Sequence, residues 1–498
     1  MSIEELLAGT PHRWARGGGA VVIADVTHDS RRAGPGVVFV AMKGAKDDGL
    51  RFAPDAVSRG AAVVVVEGGR ADAPELAGAA GVIEVPDGRV ALAVMARNLH
   101  GRVDEKLAVV GVTGTNGKTT TCRIAASILE AAGIRCGSLG TVSYSLGDEE
   151  IAADRTTPEA PDIHRYLARM AASGCGACVM EVSSHSLALR RVHGMKFAVA
   201  AFTNLTREHL DFHRDMESYF EAKAMLFADL RPGATAAINV DDAYGRRLAD
   251  RLDPAVRLIT FGERPEASVR MTSAELGARG TRVTLASAEG SFPIDTPLIG
   301  RPNAFNVTAA AAIGRAMGVE WEAVAAGVSR ARSVPGRMER IGDGDFQVIV
   351  DYAHKEEALR SLLETVRSFT TGRLIVVFGC GGDRDRTKRP IMGRHAATLA
   401  DRVWVTSDNP RTEDPGAIIE EILSGMTAEQ RSGGRVQVEP DRRRAIEGAI
   451  AEARPSDSVV IAGKGHETYQ ILGDRVIPFD DRVVAREALE RRGGSPRE

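Results

Sequence analysis

"VVGVTGTNGKTTT" (residues 109–121) is the stretch from which the rest of this chain can be read. An apolar β-branched run, a glycine-bearing turn and Gly117-Lys118-Thr119 opening "TTTCRIAASILEAAG" predict strand, loop and helix in succession, the unit of a parallel α/β sheet. In such a loop the backbone N–H groups and the helix N-terminus hold phosphate oxygens. Lys118 can reach β and γ phosphates, and the Thr119 hydroxyl can ligate magnesium. Gly114, Thr115, Asn116, Gly117, Lys118, Thr119 and Thr120 are therefore a candidate mononucleotide site. The strict Walker spacing wants glycine where Val112 stands, between Gly111 and Gly114. A glycine turn without a ligand is the blander reading.

On either side of the loop, short apolar runs alternate with amphipathic helical stretches in three groups. The first closes at the polar joint "LHGRVDEK" (99–106), and the last opens at "VPGRMERI" after the helical "WEAVAAGVSRARS". Three domains are expected, over 1–104, 105–332 and 333–498. At 498 residues the chain is too long for one core. With 26% charged residues and a net charge of -3 it has no electrostatic reason to bind nucleic acid. "MSIEELLAGT" lacks a secretory n-region, and no run approaches a membrane span. A cytoplasmic protein with no membrane partner is expected. Five cysteines make no disulfide framework, and "CGAC" (175–178) reads as buried thiols before it reads as a zinc or redox pair.

Two further stretches carry chemistry. In "EVSSHSLALRRVHG" Glu181 should stand at a strand's carboxyl end, where a carboxylate can hold nucleotide-bound magnesium or simply cap a helix. In "SYFEAKAMLFADL" (218–230) Tyr219, Ala222, Leu226, Phe227 and Leu230 share one helical face, and Lys223 lies on it. That lysine must either snorkel to water or be held for a chemical purpose.

"GTNGKTTT" resembles the phosphate loop of the Mur ligases, the ATP-dependent amide-forming enzymes of peptidoglycan precursor synthesis, and that of the related folylpolyglutamate synthetases. Further matches run from residue 28 to about 480. The resemblance implies a three-domain α/β fold: an N-terminal UDP-binding domain, a central phosphate-loop domain with a parallel sheet, and a C-terminal Rossmann-like domain. It implies ATP as substrate and Mg2+ as cofactor, with Glu181 and His209 of "NLTREHLDFH" on the metal. It also implies that Lys223, in the segment "EAKAMLF", carries a carbamate that helps hold a second metal ion. Ser30 of "VTHDSRRAGPGVVFVAMKG", Thr156, Thr157, Ser184 and Arg191 would contact a UDP-sugar-peptide, and Asn303, Asn306, Arg337, Asp351 and His354 would close over the nucleotide. The chain departs from the family pattern at Leu50, Leu189, Pro302, Ala304, Lys355 and Glu356.

"GCGGDRDRTKRP" (379–390), "SDNPRTEDP" (407–415) and "GKGHETYQ" (463–470) resemble the C-terminal signatures of the members that add the third peptide residue. Taken alone, "DNPRTEDP" would serve equally as a turn and helix start. The resemblance assigns Arg384, Asp408, Asn409, Pro410, Arg411, Gly463 and Glu467 to a meso-diaminopimelate pocket, with Arg411 on the distal carboxylate. The implied reaction joins meso-diaminopimelate to UDP-MurNAc-L-Ala-D-Glu through an acyl phosphate, in a monomeric enzyme with Lys118, Glu181, His209 and Lys223 as its catalytic groups. A lysine-adding member is the alternative within this chemistry. A nucleotide-dependent regulator or motor is the alternative outside it.

Overall fold

Val63–Glu67, sequence VVVVE, is buried at its first four positions. Strands covered by helices on both faces need apolar side chains throughout, so their runs are continuous and do not alternate. A computed structural model describes residues 1–18, 21–44, 47–228, 230–342 and 344–493. Its first sheet contains β1 (Arg13–Arg16), β2 (Asp25–Thr27), β3 (Val37–Ala41), β4 (Val63–Glu67) and β5 (Val82–Val85) in the order β1-β5-β4-β3-β2, with only β1 antiparallel.

The central sheet contains β6 (Ala108–Thr113), β7 (Cys136–Leu139), β8 (Ser143–Ser145), β9 (Glu150–Ala152), β10 (Ala177–Glu181), β11 (Val199–Phe202), β12 (Thr235–Asn239) and β13 (Arg257–Gly262). From β13 the order runs β13-β12-β11-β6-β10-β7-β8-β9. The strands from β13 to β7 are parallel, as expected around the phosphate loop. Antiparallel β8 and β9 are added at one edge, because the short turns between them are hairpin connections and a parallel crossover needs a dozen or more residues. Beyond β13 come β14 (Val269–Gly277), β15 (Gly280–Ser287) and β16 (Gly290–Thr296). None of β7–β9 or β13–β16 stands out in the apolar runs of the sequence.

The C-terminal sheet contains β17 (Glu339–Arg340), β18 (Gln347–Asp351), β19 (Leu374–Phe378), β20 (Arg402–Val405), β21 (Val436–Val438) and β22 (Ser458–Ala462), in the order β17-β18-β22-β19-β20-β21. All but β17 are parallel, and β23 (Tyr469–Leu472) and β24 (Arg475–Pro478) form a separate hairpin.

The chain divides into two compact units, one of Met1–Thr272, Leu285–Phe292 and Asn306–Val328, the other of Ser273–Thr284, Pro293–Phe305 and the chain from Ser329 onward. The first unit contains the N-terminal sheet and the central sheet from β6 to β13, and within it helices Gly88–Leu99 and Ala160–Ala172 pack against each other. Arg32 reaches Asp162 at 3.0 Å and Arg165 reaches Asp25 at 3.3 Å across the same joint. Buried Asp104 accepts from Arg97 Nε at 2.9 Å and from the Lys196 N–H at 2.8 Å. The helix bearing Lys223 runs Met216–Ala228, so Leu230 falls beyond it, and Asp229 lies outside the described residues. Pro232 follows closely, and a proline disfavours helix in the residue before it.

Candidate active site

The phosphate loop leaves β6 through Gly114 at φ 147° and enters helix Lys118–Ala131 through Gly117 at φ 85°, backbone that side chains rarely adopt. An added Cβ would lie 1.9 Å from Thr203 Oγ1 at Gly114 and 2.3 Å from Asn306 Oδ1 at Gly117. Thr115 N–H donates to Asn204 O at 2.8 Å, Asn116 N–H donates to Asn204 Oδ1 at 2.9 Å, and Thr203 Oγ1 donates to Asn116 O at 2.7 Å. No side chain caps the helix, so its leading N–H groups and dipole remain available for an anion. The Lys118 ammonium lies over the loop, 2.9 Å from both Gly114 O and Thr115 O. Thr120 is buried just inside the helix.

Glu181 ends β10 and is 1% exposed. It accepts from Thr119 Oγ1 at 2.9 Å, Thr141 N–H at 2.7 Å and Thr141 Oγ1 at 3.2 Å. It does not cap the next helix, Ser184–Ala188, because Ser183 does. Thr156 Oγ1 lies 3.1 Å from Thr141 Oγ1, and Thr157 Oγ1 donates to Glu181 O at 2.9 Å. Arg191 donates to Thr157 O at 2.9 Å and pairs with Glu159 at 2.8 Å.

Lys223 does not snorkel. It is 1% exposed, donates to Gly114 O at 2.8 Å and lies 4.6 Å over the Tyr219 ring. Burial, with the Lys118 charge beside it, pushes its pKa well below the usual lysine range. Tyr219 OH lies 3.2 Å from Thr115 Oγ1, which ties the helix to the loop, and burial pushes its phenol up to about 12. His209 opens the short helix Leu210–His213 at φ 56°, its ring edge-on to His185 at 4.8 Å and to Tyr219 at 6.1 Å. Ser184 Oγ lies 2.9 Å from Nε2 of buried His213, whose pKa burial brings down to about 4, with His185 and His209 adding to the effect. Leu189 ends helix Ser184–Ala188. In the N-terminal domain Ser30 is buried at the start of the turn Ser30–Arg32, and Leu50 packs into the local apolar core.

In the second unit, loops after β19, β20 and β22 meet at the carboxyl ends of their strands, where α/β sheets bind ligands. Arg411, at φ 53°, is held by its N–H to Ile471 O at 3.2 Å and by its guanidinium to Gly382 O at 2.7 Å. Arg384 approaches the same glycine turn: an added Gly381 Cβ would lie 3.0 Å from Arg411 Nη1 and 3.8 Å from Arg384 Cγ. A Cβ at Gly463 would lie 2.7 Å from Asp408 Oδ2, and one at Gly382 would lie 1.9 Å from Pro410 O. Asn409 Nδ2 donates to Glu467 Oε2 at 3.0 Å. Along β18, Asp351 accepts from Met338 N–H and Ala353 N–H, both at 2.8 Å. Burial raises its pKa against the pull of Arg337. Arg337 lies 4.8 Å over the Tyr352 ring, and His354 Nδ1 lies 3.0 Å from Tyr352 O. Asn303, in the first turn of helix Arg301–Ala316, donates to Ile299 O at 2.9 Å.

Each unit thus gathers its own set of expected residues. The sequence reading missed Thr141, Asn204, His213, Arg389 and Lys464. Arg389 is fully buried against Glu413 and Glu421, and its signal was the dense charge of "DRDRTKRP". The cysteines are all buried and free. Among the described residues no group of three His, Cys, Asp or Glu side chains forms a metal cage. The oxygens of Thr119 and Glu181 nevertheless suit a hard cation shared with phosphates.

Comparison with known proteins gives one family. Its models, described as the Mur ligase family catalytic domain, the Mur ligase middle domain and the Mur ligase glutamate ligase domain, match residues 22–100, 112–314 and 336–465. A UDP-N-acetylmuramoyl-L-alanyl-D-glutamate–2,6-diaminopimelate ligase of Solibacter usitatus is 48% identical over 95% of this chain and 94% of its own. The ligase of the same name from Gloeobacter violaceus is 47% identical over 99% of both. A solved structure of a ligase of this name is 33% identical, with TM-score 0.72, covering 95% of this chain and 96% of that one. A MurF structure from Acinetobacter baumannii, at 21% identity and TM-score 0.65 over 93% and 95% of the two chains, shares the fold.

Proposed function

The chain belongs to the Mur ligase family, and we propose that it is an ATP-dependent ligase that adds meso-diaminopimelate to UDP-MurNAc-L-Ala-D-Glu. The observation that carries the choice of amino acid is the Asp408–Arg411 turn, which fixes a guanidinium beside Arg384 at the strand ends. A guanidinium can clamp a carboxylate with two parallel hydrogen bonds, and the distal carboxylate is what distinguishes diaminopimelate from lysine. The names of the similar ligases agree with this choice over the lysine-adding alternative.

The γ-phosphoryl group of ATP passes to the D-glutamate side-chain carboxylate, releasing ADP and leaving an acyl phosphate. The amine of diaminopimelate attacks that carbonyl, loses a proton and expels phosphate. Both partners in the first step are anions, so the protein's contribution is positioning and charge neutralisation. Lys118 and the loop N–H groups meet the phosphates, while Ser30, Thr156, Thr157, Ser184 and Arg191 hold the UDP-sugar-peptide. Asn303, Arg337, Asp351 and His354 serve the nucleotide. Thr119, Glu181 and His209 would hold magnesium, with a carbamylated Lys223 helping to hold a second ion. Bound there, the cations would neutralise phosphate charge. A neutral, buried amine is the form that adds to carbon dioxide, and the low pKa of Lys223 favours that form.

The reading extends to a cytoplasmic monomer without nucleic-acid partners. No helix of the described residues is long and apolar enough to cross a membrane. Incubation with ATP, the muramoyl dipeptide and a panel of amino acids, read by product mass, tests it. The expected product contains diaminopimelate only, with phosphate release dependent on both co-substrates. Phosphate release without them would favour a nucleotide-driven regulator.

A further inference from the structure

Lys464 is the fully buried lysine that this mechanism leaves unused: it is 0% exposed, between the strand end of β22 and Glu467. Its ammonium donates to Glu467 Oε2 at 3.0 Å and to Asn409 Oδ1 at 3.2 Å, and lies 5.5 Å over the Tyr469 ring. The triangle is closed by Asn409 Nδ2 on Glu467 Oε2 at 3.0 Å. Asn409 Oδ1 also accepts the Ile471 N–H at 3.0 Å, so the amide cannot flip without losing a backbone partner. Two donors therefore converge on one oxygen of Glu467, and the side chain, 19% exposed, keeps Oε1 for something else. A lysine with no water must be paired, and this pairing consumes one unit of the carboxylate's charge.

We propose that Lys464 is a positioning and specificity-determining residue for the incoming amino acid. Resting on the function proposed above, it orients Glu467 and cancels its net charge. An unbalanced Glu467 would attract any side-chain ammonium, lysine's included. Balanced by Lys464, it offers directed hydrogen bonding and little net Coulomb attraction. A ligand carrying an ammonium alone then gains little, while one carrying an ammonium and a carboxylate also gains the Arg411 contact. Discrimination against lysine thus has two parts, an attractive clamp on the carboxylate and a suppressed attraction for the bare cation.

The test compares Lys464→Met, near in volume and uncharged, with wild type, measuring kcat/KM for meso-diaminopimelate and for L-lysine at saturating ATP and muramoyl dipeptide. Calorimetric binding of both amino acids is measured in parallel. The expected result is a fall of about tenfold or more in the diaminopimelate-to-lysine ratio, the scale of one charge-assisted hydrogen bond, with KM for ATP unchanged. Adding Glu467→Gln should bring the ratio back toward wild type by removing the unbalanced charge. A variant in which both amino acids lose equally, leaving the ratio unaltered, overturns the proposal by giving Lys464 a purely structural role. Failure of wild type to bind or use diaminopimelate overturns the underlying function and this proposal with it, whereas a wild type that uses diaminopimelate beside a variant with an unaltered ratio overturns this proposal alone.

Discussion

The Lys118 ammonium lies on Gly114 O of the phosphate loop and the Glu181 carboxylate accepts from the Thr119 hydroxyl, so both side chains are engaged in polar contacts and neither is an apolar core residue. Their removal should therefore act on phosphate charge and leave the fold intact. Lys118→Ala and Glu181→Ala are each expected to lose more than about a hundredfold in turnover, with unchanged circular dichroism. Lys223 gives a second, chemically distinct expectation. Lys223→Ala should be nearly inactive and partly rescued by a short carboxylic acid, and the intact side chain should show carbamate carbon by 13C NMR in bicarbonate. An unmodified ammonium at full activity would falsify that role. For Arg411, held in left-handed backbone at φ 53°, truncation to alanine should chiefly raise the apparent KM for diaminopimelate. A partly buried guanidinium fork left without its carboxylate is worth on the order of a thousandfold between ligands, so wild type should essentially ignore L-lysine.

At the scale of the element, the phosphate loop is a close packing of backbone against Thr203 and Asn306, and glycine is a steric requirement at both ends of it. Gly114→Ala would place a methyl 1.9 Å from Thr203 Oγ1 at φ 147°. We expect ATP binding to fall below calorimetric detection in this variant. In Thr203→Gly/Gly114→Ala, which removes the obstructing hydroxyl, binding should return only in part because the backbone strain remains. The sequence made this element legible through GKT after an apolar run. It did not reveal Asn204, which β11 brings to the loop, or Thr141, which follows β7 and reaches Glu181 at the end of β10. Lys464 was hidden for a similar reason: it lay in a quoted segment, but its burial depends on Asn409 from a different loop.

At the scale of the whole molecule, the N-terminal sheet and the central strands β6–β13 share one compact unit, and within it His164, on helix Ala160–Ala172, is completely buried with neither ring nitrogen partnered. Burial brings its pKa down to about 3, with the charges of His100 and Arg97 adding to the effect. The unfolded chain therefore binds a proton here that the folded chain refuses, so stability rises with pH across this window and declines from about pH 6.5 toward 3. His164→Phe is expected to flatten that acid decline in melting temperature between pH 6.5 and 4.5, and an unchanged slope would remove His164 as its cause. The sequence by itself determined the strands next to the phosphate loop, the helix that follows the loop and the family, because continuous apolar runs, glycine turns and charged signatures are local properties of the chain. Only the tertiary structure decided that Lys223 stays buried, that Ser183 and not Glu181 caps the following helix, and that Lys464 completes the Asn409–Glu467 pair. Those outcomes depend on which segments pack together and exclude water, and burial of a charge is fixed by its neighbours in space.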